Sequence, residues 1–162
     1  MMPAPARRAL VIALAVSLVL VIADQWTKLA ISSNLRYGES VPITSFFNLV
    51  LVYNKGAAFS FLSDAGGWQR VFFICITSAA IIVLMWLIAK HESEKLFRWG
   101  LTLILGGAIG NLIDRIAYGH VIDFLDFHFA GWHFWAFNVA DSAITVGAAL
   151  LILDSFRPRP PA

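Results

Sequence analysis

Charge is scarce in this chain. Asp, Glu, Lys and Arg make up 14% of its 162 residues, against roughly 25% in a soluble domain, which excludes an ordinary water-soluble fold. Cysteine is almost absent. The single Cys75 rules out a disulfide within the chain, and its place in the apolar run VFFICITSAAIIVLMWLIA suits a small buried hydrophobe rather than a nucleophile. The net charge is only +2, with no basic stripe interleaved with aromatics, so nucleic acid is excluded as a partner. No H-E-x-x-H and no G-x-S-x-G occurs, and Ser142 in ADSAI has no base beside it, which removes zinc-protease and serine-hydrolase chemistry. There is no internal repeat, and no linker long enough to divide the chain.

What is present is apolar: 59% of the residues are hydrophobic and the mean hydropathy is +0.76. A bilayer core about 30 Å thick takes about 20 residues per helix. The chain therefore has room for four crossings, expected over about 9–31, 69–89, 97–115 and 138–155, in a single membrane-embedded domain covering 1–162. The first could be read as a cleaved signal, but QWTKLAI continues past Asp24 with an interfacial Trp26 and Lys28, and so it is kept as a span. Arg7, Arg8, Lys90, Lys95, Arg98, Arg157 and Arg159 all fall on one side, which makes both termini cytoplasmic. The outer loops, about 32–68 and 116–137, are rich in Gly, Phe and Trp. In the first of them SVPITSFFNLVLVYNKGAAFSFL, bounded by Pro42 and a turn at Gly56, predicts two short strands of a small sheet resting on the membrane surface.

On this topology Asp24, Asp114, Arg115 and Asp141 interrupt three spans at the same outer level, and Asp123 and Asp126 in GHVIDFLDF lie close to it. Ionisable groups at membrane depth are candidates for function. Blander readings exist for some of them. Asn138 and Asp141 have the spacing of a helix capping box, Asp24 and Lys28 can neutralise each other at i, i+4, and Gly106 and Gly110 make a small face for close helix packing. Asn111 and Arg115 repeat the i, i+4 spacing, and packing explains the glycines but not the arginine. His120, His128 and His133 share the second outer loop, in a spacing that matches no strong metal-ligand pattern.

Two carboxylates at such a boundary suit hydrolysis of an amide by activated water, one taking a proton from water while the other donates to the carbonyl oxygen. Two charges about 5 Å apart at an effective dielectric of about 20 repel by about 3 kcal/mol, so such a pair shares one proton and titrates as a unit. A proton- or cation-coupled transporter could use the same acids, although none lies at a midplane crossing where carriers bind. An inert scaffold with capped helices would explain Asn138 and Asp141 but not Arg115, Asp123 and Asp126 together.

Five separated motifs converge: DQWTK at 24–28, NKGAAFSF at 54–61, GGAIGNLIDR at 106–115, GHVIDF at 119–124 and FNVADSAI at 137–144. Together, and in order, they closely resemble the bacterial lipoprotein signal peptidases, or signal peptidases II. The resemblance implies a four-helix intramembrane aspartyl protease with a small extracytoplasmic sheet, in the bacterial inner membrane. Its catalytic pair would be Asp123 and Asp141. Asn54, Asn111, Arg115 and Asn138 would bind substrate or orient the acids, with Asp24, Lys28 and Gly56 in supporting places. The implied substrate is a prolipoprotein cut just before a diacylglyceryl cysteine, by a monomer that meets membrane lipid and needs no metal or organic cofactor. Physics alone hardly separates Asp123 from Asp126. If the segment is helical they share a face, and if it is extended only one can meet Asp141. The resemblance selects Asp123 and leaves Asp126 as a solvated interfacial carboxylate.

Overall fold

The computed structural model describes residues 3–56, 67–91 and 93–157. Four helices and four strands alternate in blocks: α1 (Ala4–Asn34), β1 (Ser40–Thr44), β2 (Phe47–Asn54), α2 (Trp68–Lys90), α3 (Lys95–Ala117), β3 (Val121–Phe129), β4 (Trp132–His133) and α4 (Val139–Ser155). Part of the NKGAAFSF motif, from residue 57 on, lies outside the described residues.

Among the described residues, α1, α2 and α3 are long and apolar enough to cross a membrane. At 17 residues, α4 extends only about 26 Å at 1.5 Å per residue, somewhat less than a bilayer core. The packing inverts that of a soluble bundle. On α1 the buried positions are Ala6, Ala9, Ala13, Ser17, Val21, Asp24 and Lys28, a small-and-polar stripe at spacings of three and four, while Val11, Leu18, Val19 and Ile22 face outward. Large apolar side chains meet lipid, and small ones let backbones approach.

Helix α3 is central. A Cβ on Gly106 would strike Leu20 and Ser17 of α1, whereas one on Gly107 would strike the Ala140 carbonyl and Ile144 of α4. Further along, Gly100 and Gly147 face each other, each too close to the other's carbonyl oxygen for a Cβ. Helix α2 is peripheral, with only Gln69 and Ile88 buried. Cys75, expected to be buried, is therefore exposed on its outer surface, because the apolar run that carries it points toward lipid rather than into a core.

The strands form an antiparallel sheet in the order β1-β2-β3-β4. β1 and β2 correspond to the pair expected in the first outer loop. Pro42 is tolerated because β1 is an edge strand. The β3-β4 hairpin was not expected from the sequence. Its two-residue connection, Ala130 and Gly131, has positive φ at both positions, 49° and 81°, the backbone of a tight primed turn. β3 resolves the question left open for Asp123 and Asp126: the segment is extended, and its acids leave on opposite faces.

Candidate active site

The site begins at the amino end of α4. Asn138 caps the helix, its side chain accepting from the Asp141 amide at 2.9 Å, while the Asp141 carboxylate accepts from the Asn138 amide at 3.3 Å. The capping box read in the sequence is therefore present. It does not exhaust Asn138, which is fully buried. Its Nδ2 donates to Asp123 Oδ1 at 2.7 Å, and reaches Ile122 O at 3.2 Å and Asn111 Oδ1 at 3.3 Å. One asparagine thus touches both acids, gripping Asp141 through backbone exchange and Asp123 through its amide.

Each acid receives a second amide donor from a different element. Asn111 on α3 donates to Asp141 Oδ1 at 2.8 Å. Asn54, the last residue of β2, donates to Asp123 Oδ2 at 3.1 Å and accepts from the Gly56 amide at 3.0 Å. Burial, and then the nearby Asp141 charge, push the Asp123 carboxyl up to about 7, against the pull of its two amide donors and of Lys28.

Behind the pair lies a buried ionic cluster. Lys28 sits 2.8 Å from Asp24 and 2.9 Å from Asp114, and donates to Asn111 Oδ1 at 3.1 Å. Asn111 therefore accepts from the ammonium on one side and presents its amide hydrogens to Asp141 on the other. Asp24 and Lys28 do pair, as their spacing allows, but not in isolation. Asp24 Oδ1 also accepts from the Ala140 amide of α4 at 2.9 Å, and Asp114 Oδ2 accepts from the Ile122 amide at 3.1 Å. Gln25, not singled out in the sequence, donates toward both acids, at 3.2 Å to Asp24 and 2.8 Å to Asp114. The available signal was a polar residue beside Asp24 in an apolar helix.

Arg115 donates to the Gly56 carbonyl at 3.0 Å and to its own helix at Asn111 O, 3.4 Å, with its guanidinium over the Phe73 ring. Its Nε is buried and has no partner among the described residues. A cavity of about 630 Å³ opens in front of these groups. Asp123, Asp141, Asn54, Asn111 and Arg115 belong to its polar lining, and Val52, Phe134–Phe137, Ile144 and Val146 to its apolar lining.

Asp126 is not the solvated carboxylate expected. It is 6% exposed, accepts from Asn48 at 2.8 Å and from His133 at 2.9 Å, and lies outside the Asp123–Asp141 network. Strand alternation accounts for this, since it turns Asp126 onto the other face of the sheet. His120 stacks on Tyr53 and His128 on His133. Among the described residues no three His, Cys, Asp or Glu side chains come close enough to hold a metal ion.

Apolar helices beside a cavity lined by two acids fit a membrane-embedded enzyme. The comparisons narrow that class. A family model described as signal peptidase (SPase) II matches residues 16–157. A lipoprotein signal peptidase from Janthinobacterium sp. (strain Marseille) is 60% identical over 144 residues, which is 89% of this chain and 87% of that protein. One from Burkholderia vietnamiensis is 58% identical over 153 residues, 94% of this chain and 92% of that protein. A bacterial membrane enzyme solved by the in meso method at 2.3 Å superimposes with a TM-score of 0.79 at 30% identity, covering 93% of this chain and 94% of its own. The chain belongs to the signal peptidase II family and is a membrane peptidase. This leaves the transporter reading without support.

Proposed function

We propose that the chain is an endopeptidase that removes the signal peptide from diacylglyceryl-modified bacterial prolipoproteins, with Asp123 and Asp141 as its catalytic pair. The observation that carries the assignment is Asn138, buried and bonded to both of the acids that line the cavity. The raised value of Asp123, about 7, suits it to carry the pair's shared proton near neutrality. Asp141 stands among amide donors at the positive end of α4, where negative charge is favoured. Ionised Asp141 takes a proton from water as the water oxygen attacks the scissile carbonyl carbon, and Asp123 gives its proton to the carbonyl oxygen. Collapse of the tetrahedral diol breaks the C–N bond. Asp141 passes its proton to the leaving amine of the lipidated cysteine, and Asp123 recovers its own from the diol.

Arg115, Asn54 and Asn111 are suited to holding the substrate backbone or orienting the acids, and Gly56 supports Arg115 and Asn54 through its backbone. The apolar channel along α4 fits a signal-peptide segment and acyl chains that remain among lipid. We place α4 as a fourth span, completed by the extended residues before it. Both termini are then cytoplasmic, the sheet is extracytoplasmic, and the chain works as a single-domain monomer in the inner membrane. Water and two acids suffice for the reaction, so no cofactor is required.

Purified wild type, Asp123→Asn and Asp141→Asn, assayed on lipidated and unlipidated substrate, test the reading. Asn is nearly isosteric with Asp but can neither take the proton from water nor share one, so each variant is expected to fold and lose cleavage. Wild type should cut only the lipidated form. Retained turnover in either Asn variant would break the assignment.

A further inference from the structure

Asp126 is a buried carboxylate with no part in the proposed chemistry, and burying such a group unpaired is expensive. Its partners come from the two strands beside its own. Asn48 of β2 donates from one side at 2.8 Å. From the other, His133 of β4 places Nδ1 at 3.0 and 2.9 Å from the two carboxylate oxygens. An ionised carboxylate only accepts, so Nδ1 carries the hydrogen.

What this cross-link restrains is the chain immediately after His133. β4 is two residues long, too short to fix its own register firmly. It leads into Phe134–Phe137, which line the cavity, and backbone bonds from Phe134 to Phe127 and from Phe137 to Leu125 tie that segment along β3. Phe134 and Trp135 are 45% and 54% exposed, so their rings remain available to a bound chain. We propose that Asp126 and His133 are positioning residues that latch the Phe134–Phe137 wall of the cavity in register and so govern how tightly substrate is held, without acting on the bond that is cut. The inference rests on the cavity being the substrate site.

Kinetics with a diacylglyceryl lipopeptide, on the full chain in nanodiscs, test the latch. His133→Phe keeps a ring to stack on His128 but has no N–H. His133→Asn restores a donor, because Asn Nδ2 stands the same number of bonds from Cα as His Nδ1. His133→Phe and Asp126→Asn are expected to raise KM about three- to tenfold with kcat within about twofold of wild type, the pattern of lost uniform binding. His133→Asn should return KM to near the wild-type value. An unchanged KM in both latch-breaking variants, a kcat loss at constant KM, or failure of His133→Asn to rescue would each overturn the proposal. Asp123→Asn and Asp141→Asn, run alongside, separate the two readings: if they are dead and the latch variants are wild type, only the latch fails, and if they are active, the site itself is wrong and the latch falls with it.

Discussion

Asn138 joins a helix cap to the proposed chemistry in one side chain. As a cap it satisfies an amide of α4, which is typically worth about 1 kcal/mol. As a donor it supports one acid while its backbone supports the other. The neighbouring Asp123 predicts two pH effects. With its carboxyl pushed up to about 7, the pair loses its shared proton as pH rises through neutrality, so kcat/KM should fall along an alkaline limb centred near pH 7. The stability effect follows from the same shift. Between the ordinary value of 3.8 and about 7, the native state holds a proton that the unfolded chain has released, and folding therefore weakens with rising pH in that window. Melting of wild type and Asp123→Asn across pH 4 to 8 should show a steeper decline for wild type; parallel curves would contradict the raised value. The motifs that carry Asp123 and Asp141 were legible in the sequence, and the structure brings both acids to one cavity. The surroundings of Asp126 were not, because its burial depends on strand alternation and on a hairpin partner, His133, that no local pattern tied to it.

At the scale of elements, the long apolar helices were readable because composition and length decide them. The β3-β4 hairpin was missed although β-branched and aromatic residues fill VIDFLDFHF and Gly131 follows. Asp123 and Asp126, three residues apart, break the period-two alternation that marks a strand, and Ala at the first turn position is an uncommon choice for positive φ. The glycines of α3 were recognised as a packing face, but not that adjacent ones serve different neighbours, Gly106 toward α1 and Gly107 toward α4. Gly107→Ala forces a methyl group against the Ala140 carbonyl and Ile144, next to the cap that carries Asp141. Overpacking of this kind costs about 1–3 kcal/mol, and we expect the variant to melt lower in detergent and to lose cleavage in proportion. Wild-type melting would mean that α3 and α4 have slack at their contact.

For the molecule as a whole, the proposed orientation rests on the placing of cations. Arg7, Arg8, Lys90, Lys95, Arg98 and Arg157 lie at or beside the helix ends that do not lead into the sheet, the ends proposed to be cytoplasmic. Reporter fusions truncated after Gly38 and after Glu94 should therefore read opposite compartments, and identical readings would undo the four-span arrangement. The Asp24–Ala140 bond, which joins the first helix to the last across 116 positions of sequence, has a consequence for biogenesis. The amide of Ala140 is made 116 residues after Asp24, which by then is already paired with Lys28 close at hand on its own helix. Of the described helices α4 is made last and is the shortest, and it carries Asp141, so it packs where its Ala140 amide already has a waiting acceptor. A chain stopped before α4 accordingly lacks Asp141, one of the two acids proposed to cut, and the proposed site is complete only once α4 has met α1.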